Sequence, residues 1–125
     1  MQSKKLWVLL WFLGQLAVGQ QGRAPLQAPV DIPIGLSGTF GEIRASNIHA
    51  GVDIRTQGRQ GLPISSAWGG YVSRISVNTG GYGKAVYVTH PNGLMSVYAH
   101  LRRFAPKLEA YIKKWQYEKE SYTLQ

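Results

Sequence analysis

Three histidines, His49, His90 and His100, and six carboxylates are the side chains here best suited to hold a metal ion or exchange a proton near neutral pH. There is no cysteine, so a disulfide framework and a thiolate metal site are both excluded. The most suggestive pair is His49 and Asp53, four residues apart in "HAGVD" with Gly51 between them. Together they could offer one nitrogen and one oxygen to a divalent cation, with the carboxylate offsetting part of its charge. In a straight strand the two side chains would share a face but lie roughly 13 Å apart, whereas metal bonds of about 2 Å require near contact. The backbone must therefore bend there, and Gly51 permits a bend. Taken alone, a histidine and an aspartate at this spacing are more often an ordinary surface pair.

The elements that must position these residues read as short strands. From Asp31 to Phe104 the chain is a succession of short apolar or alternating runs separated by glycines, the pattern of an all-β domain. Two alternating runs between Lys84 and Leu101 flank Pro91, Asn92 and Gly93, and Asn-Gly suits a two-residue hairpin turn. In that register, residues whose numbers sum to 185 pair. His90 then faces Met95 on the side of Val86, Val88, Val97 and Ala99, while His100 shares the other face with Tyr87, Thr89, Ser96 and Tyr98. The two histidines point to opposite sides and cannot share a metal. A second hairpin joins a strand over 71–77 to the strand from Lys84 through a turn built on Gly80, Gly81 and Gly83.

Beyond Phe104 the pattern changes. Pro106 suits a first helical turn, and Leu108, Tyr111, Ile112 and Trp115 recur at helical spacing, with Glu109 and Lys113 as a favourable pair one turn apart. This is an amphipathic helix that must dock on the β domain to be stable. At the other end, Lys4 and Lys5, the apolar run 6–18 and the small residues Ala17 to Gly19 read as an export signal over 1–19, leading into a Gln/Gly/Pro-rich linker over 20–30. The run is short for a permanent membrane helix, so membrane contact is expected only through this signal segment. The formal charge of +8 falls to +6 without Lys4 and Lys5. Scattered basic residues on an exported chain favour anionic wall polymers over nucleic acid, and ordinary solubilising charge explains them equally well.

One run of motifs sharpens this reading. "GTFGEIR", "HAGVDI", "GGYGKAVYVTHPNG" and "YAHL", in this order and spacing, resemble the lysostaphin/LytM family of zinc metalloendopeptidases, across 37–101. The stretch "EAYIKKWQYEKES" also resembles the helical insertion of family members from Bacteroidetes-type bacteria. The resemblance implies a mainly β fold, an antiparallel split-barrel sandwich over 31–104 that is incomplete here, with the amphipathic helix appended at 105–125. It implies that His49 and Asp53 are zinc ligands and that His100 is a catalytic histidine that does not bind the metal; His90 matches no catalytic position. The implied activity is hydrolysis of peptide bonds in peptidoglycan by an exported enzyme of the periplasm or cell envelope.

The family completes its site with a later His-x-His pair that carries the third zinc ligand, and this sequence has none. Two ligands would hold zinc weakly, so this chain alone is expected to be inactive. A fragment of a longer protein and a degenerate relative both remain open, and the intact matches at His49, Asp53 and His100 favour the fragment. The alternative function is a non-catalytic module that binds the wall or regulates its hydrolases.

Overall fold

The computed structural model describes residues 25–123. The expected signal segment and the start of the expected linker lie outside the described residues. Five short strands and one helix follow in chain order: β1 (Leu36–Gly38), β2 (Asp53–Ile54), β3 (Tyr71–Val77), β4 (Lys84–Thr89), β5 (Met95–Tyr98) and α1 (Pro106–Lys119). β1 and β2 pair antiparallel as a two-stranded sheet, and β3, β4 and β5 form a second antiparallel sheet in that spatial order. The fold is therefore mainly β with one helix, as expected. At the end of the stretch read as linker the backbone is already tied down, because the Gln27 N–H donates to Ala67 and the Pro29 carbonyl accepts from Ser65.

The glycine-rich turn joins β3 to β4 as expected. Asn78 N–H donates to the Gly83 carbonyl, and Gly81 and Gly83 take positive φ angles of 61° and 60° that other residues reach only with strain.

The register of β4 against β5 differs from the expectation by one residue. Val86 pairs with Tyr98, Tyr87 with Val97, Val88 with Ser96 and Thr89 with Met95, so paired numbers sum to 184. Proline is the physical reason. A two-residue Asn-Gly loop would have placed Pro91 in the closing pair, where it has no N–H to give. Instead Pro91 takes the second position of a β-turn from His90 to Gly93, closed by the Gly93 N–H on the His90 carbonyl at 2.9 Å. Gly93 then absorbs the extra residue at φ 81°, and His90 N–H donates to the Leu94 carbonyl.

The one-residue slip moves every β5 side chain to the other face. Ser96 and Tyr98 join Val86, Val88 and His90, while Val97 joins Tyr87. His90 and His100 remain apart, but for a different reason from the opposite faces expected. His100 N–H donates to the Tyr82 carbonyl, beside the start of β4, and His90 follows its end. Some six residues of strand, about 20 Å, separate those positions.

Helix α1 packs against the three-stranded sheet, chiefly along β3. Val77, Phe104 and Ile112 form the buried cluster, with Ile75, Val86, Leu101, Leu108 and Trp115 packed around it. Tyr111, on the expected apolar stripe, is exposed instead. Glu109 does not pair with Lys113 as expected. Its Oε2 accepts the Phe104 N–H at 3.1 Å, and its Oε1 lies 3.8 Å from Lys84 Nζ. The carboxylate thus satisfies the amide that precedes the N-cap Ala105, which outweighs an exposed pair worth a few tenths of a kcal/mol.

The far end of the sheet is closed by a hydrogen-bonded chain through His90. His90 Nδ1 donates to the Gly69 carbonyl at 2.8 Å, which leaves Nε2 to accept from Ser96 Oγ at 3.0 Å. Ser96 Oγ lies 2.9 Å from the Tyr98 hydroxyl, which accepts the Ala67 N–H at 2.7 Å. Burial opposes ionisation of Tyr98, but its bonds to Ser96, Ala67 and Ser66 prevail and hold its pKa below the ordinary phenol value. The ring of Trp68 lies 5.8 Å from that of His90, and a side chain at Gly70 would collide with the Thr89 carbonyl. His90, only 7% exposed, is thus a bolt between the 66–70 loop and the β4–β5 hairpin.

Candidate functional site

His49 and Asp53 come together as the spacing required. The chain bends at Gly51, and His49 Nε2 stands 3.3 Å from Asp53 Oδ1. Asp53 opens β2, and its backbone is fixed by pairing with Gly38 of β1. His49 ends a small β-turn excursion in which Gly41 N–H donates to the His49 carbonyl, and His49 N–H to the Glu42 carbonyl, each at 2.8 Å. The two side chains are thereby carried on two short, hydrogen-bonded backbone segments.

The tautomer of His49 follows from its partner. Nδ1 lies 2.9 Å from the Thr39 carbonyl, which can only accept, so Nδ1 carries a proton, and in the neutral ring Nε2 presents a lone pair. With the ring neutral, Nε2 and the Asp53 oxygen are two acceptors facing each other, and either a proton on Nε2, giving an imidazolium–carboxylate pair, or a metal cation between them makes the approach favourable. Bonds of about 2.0–2.2 Å at the tetrahedral angle put neighbouring zinc ligands about 3.3–3.6 Å apart, and the separation found, 3.3 Å, lies at the short end of that range. The two side chains fit a shared zinc ion. Among the described residues, however, no group of three or more His, Cys, Asp or Glu side chains is placed to hold a metal. Two ligands are present where catalytic zinc takes three from the protein.

Asp53 has a second partner that the sequence motifs did not announce. Its Oδ2 accepts a hydrogen bond from Arg44 Nη2, whose guanidinium also lies 3.7 Å from Glu42 Oε2. The Arg44 bond, then its charge and those of His49 and His100, hold the Asp53 carboxyl below its ordinary value against the opposing effect of partial burial. The same bond raises Arg44 further above the already high guanidinium range. Glycine at 38 is required by this arrangement, because a Cβ there would stand 2.7 Å from Arg44 Nη2 and crowd Asp53 Oδ2 as closely. The one signal in the sequence was that Glu42 and Arg44, two apart, fall on one side of an extended segment.

His100 lies on the rim of this site, near enough to Asp53 for its charge to be felt there, and outside any ligand cluster. Its backbone adopts φ 56°, a left-handed conformation that costs a residue with a Cβ about 1–2 kcal/mol. The bond from its N–H to Tyr82, at 3.0 Å, and the edge-on Tyr82 ring 6.5 Å away hold it in place. Strain of this kind persists where the surroundings enforce it. His90, in contrast, is spent on the structural bolt.

Residues 47–117 match the sequence profile described as Peptidase family M23. Over 58 residues the chain is 36% identical to proteins named DD-carboxypeptidase/endopeptidase Mpg in Neisseria meningitidis serogroup B and Neisseria gonorrhoeae. The matched stretch is 46% of this chain and 13% of those proteins, so it spans about one eighth of their length. No solved structure matches the chain.

Proposed function

The chain belongs to peptidase family M23, and from that premise we propose that it carries part of the zinc site of an exported endopeptidase that hydrolyses peptide bonds in peptidoglycan. The observation that carries this reading is the approach of His49 Nε2 to Asp53 Oδ1 at 3.3 Å, with Nδ1 engaged on Thr39. The relatives named endopeptidases support the substrate class, and the signal-like first residues support export to the periplasm or cell envelope.

His49 and Asp53 are the residues that would hold the ion. The chemistry a bound zinc supplies is Lewis acidity toward a peptide carbonyl and activation of water near neutral pH. The chain's own contribution is orientation and proton handling. Thr39 fixes which nitrogen of His49 is offered, Arg44 leaves Oδ1 of Asp53 as the free oxygen, and His100 holds or passes a proton at its ring beside the site. With two ligands in place, this chain by itself is expected to retain zinc weakly and to cleave nothing.

The test is digestion of purified peptidoglycan by the full-length gene product, with the released fragments analysed by mass spectrometry. Cleavage at a peptide bond, abolished by a chelator and restored by zinc, is the expected result. The two-ligand set favours one second reading, a wall-binding or hydrolase-regulating module. Binding to peptidoglycan that is unaffected by chelation, with no bond cleaved, would establish that reading in place of the first.

A further inference from the structure

The polar contacts around the His49–Asp53 pair form a closed ring. Starting at Thr39, its N–H donates to Glu42 Oε2 at 3.3 Å, and that carboxylate oxygen lies 3.7 Å from Arg44 Nη2. Arg44 Nη2 donates in turn to Asp53 Oδ2. The other oxygen of Asp53 faces His49 Nε2 at 3.3 Å, and His49 Nδ1–H returns to the Thr39 carbonyl at 2.9 Å. Both ends of the circuit thus meet on the one residue, Thr39.

From this geometry we infer that Arg44 and Glu42 are positioning residues for the metal ligand Asp53, a role that rests on the zinc reading above. Without Arg44, both oxygens of Asp53 are equivalent and its side chain is free to turn away from His49. With Arg44 in place, one oxygen is occupied and the other is aimed at Nε2. Glu42 keeps the guanidinium from following Asp53 out of position, since the Thr39 N–H anchors the Glu42 carboxylate itself. The space is reserved as well: glycine at 38 leaves the Arg44–Asp53 contact room that a single methyl group would take. Partners one step out from a metal ligand typically set its affinity by 10–100-fold.

The experiment is a titration of the full chain with zinc ions alone, followed through the imidazole nitrogens by 1H–15N NMR, a readout that works even at weak affinity. In the unaltered chain the His49 resonances should move on zinc addition and those of buried His90 should not. Arg44→Met should raise the zinc dissociation constant by about tenfold or more. Glu42→Gln should weaken binding less, and its effect should vanish in the Arg44→Met background, because Glu42 acts only through Arg44. General loss of structure would instead make the two effects add and would disturb His90. If Arg44→Met binds zinc as tightly as the unaltered chain, or if the two substitutions are additive, the positioning role is overturned while the zinc site stands. If zinc leaves His49 of the unaltered chain unmoved, the positioning role and the zinc reading both fall.

Discussion

Replacing His90 with leucine should cost this fold about 2 kcal/mol and leave the metal site untouched. His90 makes two hydrogen bonds, to Gly69 at 2.8 Å and with Ser96 at 3.0 Å, at a position only 7% exposed. Each such bond contributes about 0.5–1.5 kcal/mol net, and a Ser96 hydroxyl left without its acceptor adds a further cost of about 1 kcal/mol. Contact with Trp68 at 5.8 Å adds about 0.5 kcal/mol, and the extra apolar surface that leucine buries returns about 1 kcal/mol. For a domain of this size, about 2 kcal/mol lowers Tm by roughly 10 °C. The assay is thermal unfolding of the full chain by far-UV circular dichroism, with the double variant His90→Leu/Tyr98→Phe run beside the singles. If the four groups work as one chain, the double variant should lose less than the sum of the singles. A drop in Tm below about 2 °C, or strict additivity, would refute the bolt. Zinc binding should be unchanged, since the partners of His90, Gly69, Ser96 and Trp68, are not those of His49 and Asp53.

Three further outcomes follow from the same structure. At position 100, with φ 56°, glycine should be more stable than alanine by about 1 kcal/mol, the reverse of the order in ordinary backbone, while both variants lose the proton-carrying ring; denaturant unfolding decides this, and alanine being the more stable would remove the case for strain. Asp53 is held below its ordinary value of 3.8, first by Arg44, so its contribution is fully present above that value and is lost as pH falls through the lower folded-state value. An NMR titration of its carboxyl carbon should therefore show no change between pH 8 and about pH 5, with a midpoint under 3.8; a midpoint at or above 3.8 would contradict the Arg44 bond. Glu109→Gln should cost about 0.5–1 kcal/mol and speed hydrogen exchange at the Phe104 amide, whereas unchanged exchange would show that the carboxylate does not cap that group.

Much of the fold was legible because it depends on periodicity and on residues with few conformational choices. The strands over 71–77 and from Lys84, the glycine turn between them, and the helix starting at Pro106 are written in alternation, glycine and proline. The register at Pro91 departs from the one Asn-Gly alone implies, because the preceding proline has no N–H for a closing pair. The pairing of Glu109 departs from the one its spacing implies, because spacing along a helix says nothing of an unsatisfied backbone amide nearby. At the site, His49 and Asp53 stood out by type, and the need for a bend followed from distance alone. Arg44, Glu42 and Gly38 did not stand out, because their contribution comes from the approach of β1 to β2, which no local pattern encodes.

The ring around the two ligands begins and ends on the peptide group of Thr39, through its N–H and its carbonyl, and the threonine side chain takes no part in it. An alanine scan of the site would therefore score position 39 as silent although both ligands lean on it. Its contribution would surface only when the backbone itself is edited, by proline or by an amide-to-ester exchange that deletes the N–H and weakens the carbonyl. Sequence drift at this position would be equally uninformative, since nearly any residue but proline supplies the same two groups. The foundation of the site is thus chemically generic, and its specificity is borne entirely by the side chains that rest on it.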